Sequence, residues 1–233
     1  MTTKGVLLSA TACAVLLITG CGGSNDSSES KGAPSTPRDQ LVLSESEFPA
    51  GARKMDVPQE KLQSSLADME GIMAGATVTP DQCRSPQVDL AAAAKHVLAS
   101  SSFALATSED MTSYVDYVAN EVMDLTALAD NHAKCPEVTV TSTANGDKIV
   151  TTTKLEKLTV PSAISGTGAI AYRSTATSQL GDDKPITQTT YEGYATLRGM
   201  TVGVRASAFS ETPDQPVFDT FFTTAVQKVQ NAK

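Results

Sequence analysis

The chain has 233 residues, a formal net charge of −8, 40% hydrophobic and 19% charged residues, 5% aromatics and no Trp. Such a composition fits one folded domain with a tail, its core drawn from Leu, Val, Ile, Ala and Met. The acidic balance, with no basic run, argues against nucleic acid and against a cationic grip on anionic lipid.

Lys4 precedes an apolar run from Val6 to Ile18. That run falls short of the roughly 20 residues a membrane-spanning helix needs. A basic residue, a short apolar run and then small residues are the layout of a secretory signal. Residues 1–20 are therefore expected to be a signal peptide. Ile18-Thr19-Gly20-Cys21 closes that run, and "ITGC" resembles the lipobox of bacterial lipoproteins. The resemblance implies cleavage before Cys21 and lipidation of its thiol, with fatty acyl chains such as palmitate holding the protein at the outer face of the cell membrane. Each buried methylene contributes about 0.8 kcal/mol, so two or more chains anchor firmly. An ordinary secreted protein with an incidental Cys21 is the alternative.

Of the other cysteines, Cys13 leaves with the signal, and Cys83 and Cys135 remain as an even pair. An exported compartment lets disulfides persist, so Cys83 and Cys135 are expected to be bridged, the alternative being two buried free thiols. Neither CxxC nor close Cys/His spacing points to a metal. Loss of Lys4 with the signal takes the charge from −8 to −9.

Residues 21–40 carry the lipidated terminus and "GGSNDSSESKGAPSTPRDQ", which lacks any large apolar side chain and is expected to be a disordered tether. At about 5–6 Å times the square root of its length it spans roughly 25 Å. The folded domain is assigned to 41–233. Ser44 followed by Glu47 reads as a capped turn, and "ARKMDV" as a short extended stretch. From Pro58, Leu62, Leu66, Met69 and Met73 lie at helical spacing. "GATVTPDQCRSP" reads as loop, with Pro80 opening a short helix that carries Cys83, and "VDLAAAAKHV" is helical by composition.

The period then changes. "SSFALAT" and "TSYVDYVAN" read as strands, the second setting Tyr114, Asp116 and Val118 against Val115 and Tyr117. "DLTALADNHAKC" reads as a helix ending near Cys135. "EVTVTSTANGDKIVTTTK" is a hairpin about Asn145-Gly146. "GAIAYRSTAT", "ITQTTYEGYATL" and "MTVGVRASAF" are further strands, the last two joined at Arg198-Gly199. After Asp214 and Pro216, Val217, Phe218, Phe221, Phe222, Ala225, Val226 and Val229 form the apolar stripe of a closing helix. The fold class is α+β: one domain, an antiparallel sheet with helices packed mainly on one face, a polar opposite face carrying the strands' Thr and Ser, and one disulfide.

Candidate chemistry is sparse. His96 and His132 are the only histidines, and neither has a GxSxG or HExxH setting; His132 is expected over the disulfide region or in solvent. Glu109-Asp110 and Asp182-Asp183 lack the spacing of a calcium loop and read as solvated turns. "ISGTGAI", with Gly166 and Gly168, lacks the ending of a phosphate loop, leads into a strand and reads as a strand entry or bulge. Tyr191 and Tyr194, three apart on a strand, point to opposite faces. Catalytic, cofactor and metal residues are assigned to none.

"FPAG", "GATVTPDQC", "YEGYATLRGMTVGVRASAF" and the closing "TAVQKV" together give a resemblance. The region from about Leu41 to Ala232 looks like exported domains of unknown function in mycobacterial and related actinobacterial lipoproteins. These in turn are similar to the extracellular sensor domain of the Ser/Thr kinase PknH. The resemblance implies an α+β domain with a possible ligand cleft; that sensor domain is associated with two disulfides, where one pair remains here. Neither a kinase domain nor a transmembrane helix is read within these 233 residues. The expected function is a non-enzymatic, lipid-anchored envelope protein that binds a small-molecule, lipid or protein ligand. The alternatives are a structural interaction module of the envelope and a hydrolase whose catalytic group no motif reveals.

Overall fold

A computed structural model describes residues 32–58, 75–85, 99–144 and 146–233. Three helices are labelled within them: α1 (Arg38–Leu41), α2 (Leu125–Lys134) and α3 (Gln215–Asn231). The strands are β1 (Arg53–Met55), β2 (Thr77–Thr79), β3 (Ser101–Thr107), β4 (Ser113–Ala119), β5 (Glu137–Ala144), β6 (Asp147–Leu158), β7 (Ile170–Leu180), β8 (Ile186–Leu197) and β9 (Met200–Phe209). They form one nine-stranded sheet in the order β1-β3-β4-β9-β8-β7-β6-β5-β2, with every neighbouring pair antiparallel. The three-residue strands β1 and β2 close its two edges, and short edges limit pairing with other chains.

Tight turns set the central register. Arg198 (φ 52°) and Gly199 (φ 74°) both take the left-handed conformation, as the two-residue turn that matches strand twist requires. Counting outward from it pairs Tyr194 with Gly203 and Glu192 with Arg205. Arginine is unusual in such a turn, and its side chain is used. Its Nη1 donates to the carbonyls of Val229 (3.1 Å) and Ala232 (2.6 Å), and its Nε to that of Gly32 (2.8 Å).

The main core lies between α3 and the face carrying Tyr114, Ala206 and Tyr191, which are mutually registered across β4, β9 and β8. Asp214 caps α3 by accepting the Val217 N–H at 2.9 Å, and Pro216 sits in its first turn. Phe218 stacks on Tyr191 with centroids 5.3 Å apart, and Phe221 meets Tyr114 edge-on at 5.4 Å. Phe222 lies over Gly193, where a Cβ would come within 2.8 Å of two of its ring atoms. Gly193→Ala should therefore overpack the core and cost about 1–3 kcal/mol. Thermal unfolding reads this, and an unchanged midpoint would refute the close approach.

Several expectations meet the structure directly. Ser44 and Glu47 form a reciprocal capping box, "ARKMDV" contains β1, and the hairpin at Gly146 pairs Ala144 with Asp147. Others change. "GATVTPDQC" contains the edge strand β2, its Val78 buried and paired with Val140, before a 3₁₀ turn at Asp81–Cys83. "ISGTGAI" enters strand β7 at Ile170, but through a 3₁₀ turn, Ser162–Thr167, anchored by buried Ile164 and ended by left-handed Gly168. The last stretch of the expected tether is structured: Ser35 N–H donates to the Lys233 carbonyl, and Arg38 binds Ser102 Oγ and the Ser100 carbonyl.

Among the described residues, α3 and α2 do not share one face of the sheet. Tyr172 and Arg173 are successive on β7, and Arg173 shares the Tyr191 face, which α3 covers. Tyr172 therefore points to the opposite face, where His132 of α2 meets it. Nor do the hydroxyl side chains gather on one side. Thr152 bonds Thr139 on one face, while its neighbour Thr151 bonds Ser178 on the other, because a run of consecutive threonines must alternate.

The expected signal peptide, Cys13, Cys21, the tether through Lys31, the helix with Leu62, Leu66, Met69 and Met73, and the run carrying His96 lie outside the described residues. Among the described residues no helix is long and apolar enough to cross a membrane.

Candidate functional site

Cys83 and Cys135 are bridged, with S–S 2.08 Å and Cα atoms 5.8 Å apart. The bridge sits in a small apolar cluster with Val78 and Val138 and follows the last residue of α2. The approach to α2 is held as well: Thr201 Oγ1 donates to the Glu121 carbonyl at 2.6 Å and accepts the Met123 N–H at 2.8 Å. Asp124 then caps the helix by accepting the Ala127 N–H at 2.9 Å. Clamped at both ends, α2 lays Leu125 and Leu128 on Ile170, Tyr172 and Tyr194.

This clamp places His132, but not over the disulfide and not in free solvent. Its ring meets Tyr172 edge-on at 4.5 Å, and its Nδ1 is buried with no hydrogen-bond partner. Burial pushes the imidazole pKa down, against the pull of the Glu192 carboxylate. Burial thus favours the neutral ring, whose Nδ1 is left without a partner.

Register assembles the rest. Along one row of the α2 face, Phe103 pairs with Tyr117, Tyr117 with Gly203, and Gly203 with Tyr194. In the next row Val115 pairs with Arg205, Arg205 with Glu192, and Glu192 with Tyr172. Phe103 and Tyr117 rings lie 5.7 Å apart. The Tyr194 hydroxyl donates to Glu192 Oε2 at 3.1 Å, and Arg205 Nε stands 3.7 Å from Glu192 Oε1. Burial, reinforced by Glu192, drives the Tyr194 and Tyr117 phenols well above their ordinary pKa. Both stay protonated, and the Tyr194 hydrogen is committed to Glu192.

The site is therefore four aromatic rings, a histidine and a loosely paired Glu–Arg couple on one sheet face. Of these, His132, Tyr117 and Tyr194 were visible as individual residues. Tyr191, the other half of the expected pair, lies in the opposite core, as alternation requires. Glu192 and Arg205 were missed, although counting out from Arg198-Gly199 pairs them. Elsewhere, Asp110 accepts from Ser108 and the Thr112 N–H in a local turn, consistent with the solvated reading. Among the described residues no three His, Cys, Asp or Glu side chains are grouped to hold a metal ion.

No family model, curated protein or solved structure matches the chain.

Proposed function

We propose that the chain is a lipid-anchored protein of the cell envelope, of the actinobacterial lipoprotein type with a PknH-like sensor domain. Its sheet domain, read as one α+β unit, binds a ligand without catalysing a reaction. The observation that carries the binding reading is the convergence of Phe103, Tyr117, Tyr172, Tyr194 and His132 around Glu192 and Arg205 on one face. Aromatic walls with a few placed polar groups are the usual make-up of a small-molecule site. The disulfide suits an exported compartment, and "ITGC" supplies the anchor.

Native mass spectrometry of the purified protein, searching for a co-purified small molecule or lipid, tests the binding reading. A protein that is empty and acquires nothing from envelope extract overturns it. The anchor has its own test. Cys21→Ala should release the protein from the membrane fraction or leave its signal uncleaved, and should abolish incorporation of labelled palmitate. Unchanged cleavage and attachment would sink the lipoprotein reading.

A second reading, an envelope interaction module, is favoured by a separate feature. At the far end of the same face, Leu180, Ile186 and Phe209 (65% exposed) stand clear, with Ile149 paired to Leu180. An exposed apolar group of this kind suits contact with another protein.

A further inference from the structure

The chemistry of the α2 face narrows the ligand class, on the premise that this face is a binding site. A Cβ at position 203 would lie 2.2 Å from Tyr117 Cζ, so the phenol ring crosses directly over Gly203. One side of the ring rests on the sheet, and the residue is partly exposed, so the other side of the ring would be the flat apolar platform. Two residues along the strands, about 7 Å away, lie Glu192 and the half-exposed Arg205. Arg205 Nε also donates to Ser207 Oγ at 3.2 Å, turning the row beyond toward hydroxyl chemistry.

Simple ligand classes fit this arrangement poorly. A lipid chain crossing from the Tyr117 row to the Arg205 row would strip water from both charges without replacing it. An ammonium ion would find the Glu192 carboxylate already offset by Arg205 and bonded by Tyr194. An anion drawn to Arg205 would meet the Glu192 charge. A neutral ring with an apolar face and a polar rim meets none of these costs. Its C–H face covers the aromatic platform, while its hydroxyls donate to Glu192 and accept from Arg205.

We infer that this face binds a sugar ring, stacked on Tyr117 over Gly203 and hydrogen-bonded through its hydroxyls to Glu192 and Arg205.

The test titrates the detergent-purified full chain with maltotriose, cellotriose and chitotriose, followed by saturation-transfer NMR and tyrosine fluorescence. Saturable binding of at least one is expected. Glu192→Gln and Gly203→Ala, the latter displacing the Tyr117 ring, should each weaken it about tenfold or more, as loss of one such contact would. Tyr117→Leu reads the same platform should Gly203→Ala fail to fold. Absence of saturable binding to all three sugars, or binding indifferent to the variants, overturns the assignment. A non-sugar ligand found by native mass spectrometry and lost in Glu192→Gln would overturn the sugar class and leave the binding reading standing. A protein that binds nothing at all removes both.

Discussion

Breaking the Cys83–Cys135 bridge should lower the stability of the domain by about 4 kcal/mol, the chain-entropy value for a loop of its length. The bridge spans 52 residues and closes the sheet edge, where β2 pairs with only Thr139–Thr141 of β5. Among the described residues, the local cluster at that edge contains Val78 and Val138 beside the two cysteines, with Val140 against them. For a domain of this size, about 4 kcal/mol corresponds to a melting point lower by roughly 8–16 °C. Urea unfolding of a Cys83→Ser/Cys135→Ser double variant, compared with the oxidised protein, measures it. A loss below about 1 kcal/mol would mean that the edge is secured by other means. The same variant unties one end of α2, so the His132–Tyr172 contact should loosen with it.

Asp116→Asn should make the protein more stable at neutral pH, by up to about 4 kcal/mol, and the gain should vanish near pH 4. Asp116 is 1% exposed on the α3 side of β4, in line with Tyr114 and Val118. Its Oδ2 accepts the Leu43 N–H at 2.7 Å, whereas Oδ1 has no partner. Burial raises its pKa from 3.8 to about 7, against the Leu43 hydrogen bond and the charge of Lys228, with Glu47 adding to the rise. Lys228 is already committed to Glu47, Nζ to Oε2 at 2.5 Å. Burial pushes the Glu47 carboxyl up too, but hydrogen bonds from Lys228 and Ser44 hold it below its ordinary value.

The sign follows from which state holds the proton. Below pH 3.8 both folded and unfolded chains carry it on Asp116. Between 3.8 and about 7 the folded chain keeps it and the unfolded chain gives it up. Stability therefore falls as pH rises through this window and stays reduced above it. Asparagine keeps the acceptor for Leu43 and removes the titration. Any fixed cost of its amide cancels when the variant is compared with the parent at two pH values. Denaturant unfolding at pH 4 and 7.5 supplies that comparison, and an equal difference at both would show that Asp116 does not titrate in this range.

Local signals carried much of the architecture. The turn at Arg198-Gly199 marked both strands, and the apolar stripe from Phe218 to Val229 marked α3 and its buried side, although Val217, expected in the stripe, stands exposed. Alternation in "SYVDYVA" even put Asp116 with Tyr114 and Val118, the row that is in fact buried. Edge strand β2 escaped because three residues before a proline carry no period, and only pairing with β5 makes Thr77–Thr79 a strand. The candidate site escaped for a different reason. No turn joins β4 to β9, so nothing local says that Tyr117 will cross Gly203. A glycine in "TVGVR" signals a close approach without naming what approaches. Likewise His132 shows its helix but not its neighbour, because Tyr172 arrives from β7.

The junction at Arg198 bears on how the molecule carries load. The Lys233 carbonyl accepts N–H groups from Ser35 and Thr36, and Arg198 ties Gly32, Val229 and Ala232 to the same hairpin turn. A pull arriving along the chain from residue 32 meets the tail of α3 and the tip of the β8–β9 hairpin together. Tension is divided between helix and sheet before it reaches the strand ladder. A tag fused after Lys233 would emerge beside the same junction. The hairpin tips at Gly146 and Gly181 lie at the other end of strands 11 or 12 residues long, roughly 35–40 Å away, and face in the opposite direction.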